Sequence, residues 1–151
     1  LLDRGVLVAN VVEAIRPEAD ARGRTINIQA QPLPSIMGDA GRLELALLNL
    51  VRNALQAADS QVCITAASNE GWLCIAVKDD GPGLPDLPVA QLLEPFFTTK
   101  SPGDGTGLGL AIVQTVAEEH QGQLTLQNNV EGGCAATLKL PLINQANPEN
   151  A

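Results

Sequence analysis

Apolar and polar positions repeat along the chain with two periods, and these periods predict its helices and strands. Apolar side chains recur every three or four residues, as on one face of a helix, in three segments: residues 6–21, 41–58 and 106–119. Shorter apolar segments next to turn-forming residues predict strands: residues 25–30, 62–67, 72–79, 124–127 and 134–140. Asp39 precedes the second helix, where its carboxylate is suited to cap the first turn.

The order of these elements predicts the fold class. Turn-like residues at 68–71 and 128–133 join two pairs of strands, so both pairs are expected to be antiparallel hairpins. We therefore expect an α/β (α+β) two-layer sandwich, with a mixed, mostly antiparallel sheet and helices packed on one face. A loop rich in Gly, Pro and Asp covers residues 80–88, and a weakly periodic stretch follows it. The length fits one domain over residues 1–143 with a disordered polar tail at 144–151.

Composition excludes several classes of function. The chain has 151 residues and a formal net charge of -8, which argues against binding to nucleic-acid phosphates. Three well-separated cysteines and one histidine argue against a disulfide framework or a zinc site. No apolar run approaches the roughly 20 residues that cross a bilayer, and no secretory signal pattern is present. We expect a monomeric cytoplasmic domain without direct membrane contact.

The first residue, Leu1, is not methionine, so we expect a piece cut from a longer protein. Whether that parent protein is anchored in a membrane stays open.

A polar stripe interrupts the apolar helix predicted at 41–58. At about 100° per residue, Asn49, Asn53 and Gln56 fall on one face, and Arg42 joins them. Such a stripe is either a solvated helix face or a face that binds a ligand or a cation. The second interpretation is chemically reasonable because an amide oxygen is a good ligand for Mg²⁺ and an amide N–H can bind phosphate.

Two glycine-rich segments add candidate chemistry. Asp79 ends an apolar strand, and Gly81 and Gly83 follow it. The glycines allow the backbone to approach a flat ligand, and the carboxylate can accept a hydrogen bond from an exocyclic amine. A plain turn is the alternative. Residues 103–109 open the last helix, where bare backbone amides suit phosphate. They do not follow the Rossmann spacing, because Leu110 stands where its third glycine should be.

Four segments in this order resemble the motifs of one family. Residues 49–54 are similar to the N box, 79–85 to the G1 box, 94–100 to the F box and 105–110 to the G2 box of the ATP-binding catalytic domain of bacterial sensor histidine kinases. The resemblance extends over residues 5–142, and four ordered motifs make it highly specific. It implies the Bergerat fold, which these kinases share with type II topoisomerases and mismatch-repair ATPases.

The resemblance also implies a ligand, Mg–ATP, and a role for each matching residue. Asp79 would bind the adenine amino group, and Gly81 and Gly83 would line the adenine pocket. Asn53 would hold Mg²⁺, with Asn49 near the phosphates. The remaining residues implied at the phosphates are Lys100, Gly105, Thr106, Gly107, Leu108 and Gly109.

A lid over residues 86–104 is part of the same implication, and we expect it to be the most mobile internal region. An acidic domain still needs cations at the triphosphate. The candidates are Arg42, Arg52 and Lys100. Arg52 is rotated away from Asn53 on the helix, so a surface charge is an equally good interpretation of it.

Several positions depart from the family pattern. Asp80 stands where Asn is frequent, and Gln56 stands where many relatives carry Lys or Arg. After Gly133 the family often has a hydroxyl residue and an aromatic residue, and this chain has Cys134, Ala135 and Ala136.

The implied activity is that of a protein histidine kinase, which transfers the γ-phosphate of ATP to a histidine. The chain lacks the phosphoacceptor motif, and we interpret His120, near the end of the last helix, as a packing or helix-end residue. The acceptor histidine is therefore expected in a separate dimerisation domain, and a response regulator is the expected partner downstream.

Two other functions stay open at this point. A Bergerat-type ATPase carries a glutamate one helical turn before its Mg²⁺ asparagine to orient a water molecule, and this chain has Asn49 there, a poor base. A degenerate nucleotide-binding interaction module is the other alternative, and the presence of Asn53, Asp79 and Gly107 argues against it.

Overall fold

The computed structural model describes residues 4–30, 38–95 and 109–142. Four helices and five strands lie in these segments, and their order agrees with the predicted order. The helices are α1 (Arg4–Ala21), α2 (Ala40–Ala57), α3 (Val89–Leu92) and α4 (Gly109–Glu119). The strands are β1 (Thr25–Ala30), β2 (Gln61–Asn69), β3 (Trp72–Asp79), β4 (Gln123–Asn128) and β5 (Cys134–Pro141).

The strands form one mixed sheet in the order β1-β2-β3-β5-β4, which confirms the predicted fold class. β1 pairs with β2 in parallel, because α2 lies between them in the chain and returns the second strand in the same direction. The other three pairs are antiparallel. The tight turn between β2 and β3 has positive φ at Glu70 (50°) and Gly71 (85°), which matches the twist of the strands that it joins.

The core lies between the sheet and the helices α1, α2 and α4. Alternate residues of the central strand β3 point to this core, and Leu73, Ile75 and Val77 are each at most 1% exposed. The strand ends with Asp79 on the same buried side. The alternation of the sequence therefore places a carboxylate at the edge of an apolar layer.

Helix α2 is the main contributor to the core. Its N-cap is Asp39, as predicted, and the carboxylate accepts a hydrogen bond from the backbone N–H of Arg42 at 3.1 Å. The helix contacts α1, α4, β2 and β3. Its buried residues repeat with helical spacing, and they are Leu43, Ala46, Leu47, Leu50, Val51, Ala54 and Leu55.

His120 joins the end of α4 to the start of α2. Its Nε2 accepts a hydrogen bond from the backbone N–H of Asp39 at 3.1 Å, and its Nδ1 lies 2.8 Å from the carbonyl oxygen of Val116. Both contacts are satisfied when the neutral ring carries its proton on Nδ1. The structure thus gives His120 the packing role that its place near the helix end predicts.

The single-turn helix α3 is not predicted by the sequence pattern. It lies within the weakly periodic stretch, and a four-residue helix is too short to show a repeat. Leu92 is the buried residue of this helix, with 6% of the residue exposed. None of the helices in the described segments combines the length and the apolar content needed to cross a membrane.

Candidate functional site

The site is built around Asp79, the one charged side chain that is buried within the described segments. It is 8% exposed. Its Oδ1 accepts hydrogen bonds from the backbone N–H groups of Gly81, at 2.9 Å, and Cys134, at 3.3 Å. Burial raises the pKa of Asp79 above its ordinary value of 3.8, and the two amide donors oppose that increase. The carboxylate is therefore fixed in direction, but its charged form is incompletely solvated.

Glycines surround Asp79 because the backbone approaches it from two sides. A Cβ atom on Gly133 would overlap the carbonyl oxygen of Asp79, and Gly133 also has a φ of 86°. A Cβ atom on Gly81 would overlap the carbonyl oxygen of Ala57, the last residue of α2. Gly81, the first glycine of the predicted adenine loop, is therefore needed for the close approach of this loop to the end of α2.

The loop after Asp79 is fixed at its far end by Asn128, the last residue of β4. Asn128 Oδ1 accepts a hydrogen bond from the backbone N–H of Leu84 at 2.7 Å. Gly83 has a φ of 93°, and a Cβ atom there would lie 2.7 Å from the same oxygen. No local sequence pattern indicates this role, because only the pairing of β4 with β5 brings Asn128 to the loop.

Asp80 has no predicted role either. Its carboxylate accepts hydrogen bonds from three consecutive backbone N–H groups of residues 59–61 and from the hydroxyl group of Ser60. These hydrogen bonds hold the pKa of Asp80 well below its usual range, the Ser60 hydroxyl having the largest effect.

The polar stripe of α2 faces the start of α4. Asn49 donates from Nδ2 to the carbonyl oxygen of Leu45 at 2.8 Å, and a Cβ atom on Gly109 would lie 3.3 Å from its Oδ1. Asn53 and Gln56 follow one and two turns later, and both are half-buried. Asn49 therefore lies next to the first residue of α4, Gly109. The N-terminal end of a helix carries a partial positive charge, which stabilises anions.

Helix α2 brings the two parts of the predicted site together. Ala57, the last residue of the helix and one turn beyond Asn53, packs against Gly81. Asn49, one turn before Asn53, lies next to Gly109. The predicted site residues outside the described segments are Lys100, Gly105, Thr106, Gly107 and Leu108, and the part of the predicted lid beyond residue 95 lies outside them too.

Two of the three candidate cations lie against carboxylates of neighbouring helices in the structure. Arg42 forms an ion pair with Glu119 at 2.8 Å, because α4 runs antiparallel to α2 and its last residue reaches the start of α2. Arg52 Nε lies 3.4 Å from Glu18 Oε1 on α1. Both arginines thus bind carboxylates of neighbouring helices. Helical spacing places Arg42 on the stripe, and the structure places it opposite the end of α4, whereas Asn49 lies opposite the start of α4.

The chain is similar to known proteins in sequence and in structure. A family model described as histidine kinase-, DNA gyrase B-, and HSP90-like ATPase matches residues 38–144. The sensor histidine kinase TmoS of Ectopseudomonas mendocina is 34% identical over an alignment of 151 positions, which covers 93% of this chain and 15% of that protein. The sensor histidine kinase CpxA of Escherichia coli K12 is 33% identical over 93% of this chain and 32% of its own length. The chain thus spans a third or less of these relatives.

Solved structures of histidine kinases also match this chain. Full-length ShkA in complex with AMPPNP matches with a TM-score of 0.82 and 32% identity, over 97% of this chain and 32% of that one. The mycobacterial sensor histidine kinase MprB matches with a TM-score of 0.80 and 26% identity, over 93% of this chain and 95% of that one. The catalytic domain of the histidine kinase ThkA, at 24% identity, shares the fold with a TM-score of 0.82, over 99% of this chain and 97% of that one.

The close approach of Gly133 to Asp79 predicts a large effect of Gly133→Ala on stability. Gly132→Ala is the matched control, because Gly132 also has a positive φ (104°) but has open space, free of other atoms within 4 Å, where a Cβ would lie. Both changes carry a conformational cost of about 1–2 kcal/mol. Gly133→Ala adds overpacking of about 1–3 kcal/mol. Urea denaturation measures both losses, and equal losses would contradict the contact with Asp79.

Proposed function

We propose that this chain, which belongs to the family of histidine kinase-, DNA gyrase B-, and HSP90-like ATPases, is the ATP-binding catalytic domain of a sensor histidine kinase. The observation that carries the proposal is the buried carboxylate of Asp79, fixed by two backbone amides and followed by a loop whose glycines allow a ligand to approach.

Asp79 recognises the adenine base. A buried carboxylate whose pKa is raised gains from a hydrogen-bond donor that stabilises its charge. The exocyclic amine of adenine is such a donor, whereas guanine presents a carbonyl oxygen at the equivalent position. Two acceptors would then face each other at a buried site, and this mismatch costs about 1–3 kcal/mol.

The phosphates extend from Asp79 along α2 towards the start of α4. Asn49 and the N-terminal amides of α4 lie where an anion is favoured. We assign Lys100 and the amides of residues 105–109 to the same phosphates on the basis of the sequence motifs. This arrangement leaves the triphosphate next to the helix face that carries Asn53.

Asn53 is the ligand that the chain offers to Mg²⁺. Within the described segments, no group of three or more His, Cys, Asp or Glu side chains could hold a metal ion. The residues fit Mg²⁺ bound through the nucleotide, since Mg²⁺ keeps several water molecules and takes few protein ligands beside substrate phosphates. The ion would supply charge neutralisation at the transferring phosphoryl group.

The phosphoryl acceptor comes from outside this chain. Asn49 stands where an ATPase needs a base for water, and an amide cannot take a proton. His120 has both ring nitrogens engaged, by Asp39 and Val116. A histidine of a separate dimerisation domain is therefore the acceptor, and a response regulator takes the phosphoryl group from it. We place this chemistry in the cytoplasm.

The adenine assignment predicts that Mg–ATP binds more tightly than Mg–GTP. Asp79→Asn keeps an acceptor oxygen for the two backbone amides, but it loses the negative charge that the adenine amine binds. We expect ATP affinity to fall by about 5- to 150-fold, which corresponds to about 1–3 kcal/mol. The measurement is isothermal titration calorimetry with both nucleotides. The control is Asp86→Asn, the same change at an exposed residue of the same loop, and it should leave affinity unchanged. Equal ATP and GTP affinities in the unmodified chain would contradict the assignment.

The kinase assignment predicts transfer of label from γ-³²P-ATP to a histidine-containing dimerisation domain supplied separately, with little hydrolysis by water. The product should be labile to acid, as phosphohistidine is. His120→Ala should leave the transfer intact, because His120 serves packing. Rapid release of phosphate without transfer would favour the ATPase alternative, and absence of nucleotide binding would favour the interaction module.

A further inference from the structure

We propose that Asp80 is a positioning residue for nucleotide recognition: its carboxylate ties the end of β3 to the turn between α2 and β2 and so holds Asp79 in the direction that reads the base. This inference rests on the proposed function. We call the turn, residues 58–61, the α2–β2 corner.

The carboxylate of Asp80 is fully engaged by the α2–β2 corner. Oδ1 accepts the backbone N–H groups of Asp59 at 2.8 Å, Ser60 at 3.0 Å and Gln61 at 3.2 Å, and Oδ2 accepts the hydroxyl group of Ser60. Four donors on one carboxylate favour its ionised form and fix its rotamer. The side chain thus acts as a clamp between two segments that are about 20 residues apart in the chain.

The corner itself is held rigidly from its other side. Arg24 Nε donates to the carbonyl oxygen of Ala58 at 2.8 Å, and the backbone N–H of Thr25 donates to the carbonyl oxygen of Ser60 at 3.0 Å. Both donors lie at the start of β1. These hydrogen bonds hold the corner in place relative to β1, and the hydrogen bonds of Asp80 hold the end of β3 in place relative to the corner.

Asp79 is held between this fixed point and the β4–β5 turn. On one side, Gly81 packs against the carbonyl oxygen of Ala57, next to the corner. On the other side, Gly133 packs against the backbone of Asp79, and the N–H of Cys134 binds its Oδ1. Release of the Asp80 clamp frees the first side only, so the Gly81 N–H no longer has a fixed place relative to Oδ1.

The expected consequence is a loss of base discrimination. Asp80→Ala should lower ATP affinity about tenfold and leave GTP affinity within twofold, so that the ratio of the two affinities falls. General loosening of the domain would lower both affinities together, because both nucleotides share the phosphate contacts. The ratio therefore separates positioning from a merely structural role.

Two variants serve as controls. Asp80→Asn keeps Oδ1 as an acceptor for the three amides and should restore the ATP-to-GTP ratio to within about threefold of the original. Asp59→Ala removes a carboxylate that also raises the pKa of Asp79, while its backbone N–H still binds Asp80. It should leave the ratio unchanged, which excludes loss of nearby negative charge as the cause.

The experiment combines calorimetry with amide hydrogen exchange in the nucleotide-free chain. Exchange should increase at Gly81 in Asp80→Ala, stay unchanged at Cys134, which lies on the side that the clamp does not hold, and stay unchanged at both in Asp59→Ala. An unchanged ATP-to-GTP ratio in Asp80→Ala, or an Asp80→Asn variant as impaired as the alanine variant, would overturn the proposal. If Asp80→Ala does not fold, Ser60→Ala removes the hydroxyl contact alone and should shift both readouts in the same direction by less.

Failure of the proposed function gives a different result. In that case the unmodified chain binds neither nucleotide, and the exchange measurement alone decides. Unchanged protection of Gly81 in Asp80→Ala would then reject the positioning role.

Discussion

The arrangement of the site depends on one buried charge, the carboxylate of Asp79, at the end of the central strand β3. Burial disfavours the charged form, and in the part of the chain that the structure describes the amides of Gly81 and Cys134 compensate for it at Oδ1. Both donors are backbone groups in turns, so the turns must come close to the strand. Glycines at positions 81 and 133 make that approach possible. A ligand with an amine donor would add a hydrogen bond to this carboxylate beside those that the protein supplies.

Helix α2 extends this local constraint across the domain. Its apolar face is buried in the core, which fixes the rotation of the helix and therefore the direction of its polar stripe. The stripe meets the start of α4 at Asn49, and the C-terminal end of the helix meets the loop after Asp79 at Gly81. One well-packed helix thus sets the separation between base recognition and phosphate binding. Catalysis in such a domain consists mainly of positioning and charge neutralisation.

Local sequence patterns predict much of the fold but only part of the site. Periodicity locates the three long helices and the five strands, and residue type alone identifies the N-cap at Asp39. The motifs predict Asp79 at the end of a buried strand. Asn128 is missed because its role depends on the register of β4 against β5, to which no local pattern refers. Asp80 is missed for the same reason, since its partners lie in the α2–β2 corner. The ion pair of Arg42 with Glu119 is missed as well, because helical spacing gives the face of a helix but not the neighbour at each turn.

The most direct test of this account is the pKa of the Asp79 carboxyl group, measured by ¹³C NMR in the free domain and at saturation with each nucleotide. The account predicts a pKa above 3.8 in the free domain, because burial dominates over the two amide donors. Mg–ATP should lower this pKa, since the adenine amine stabilises the ionised form, and Mg–GTP should not. A pKa at or below 3.8 in the free domain, or the same response to both nucleotides, would contradict the claim that a buried, incompletely compensated carboxylate reads the base.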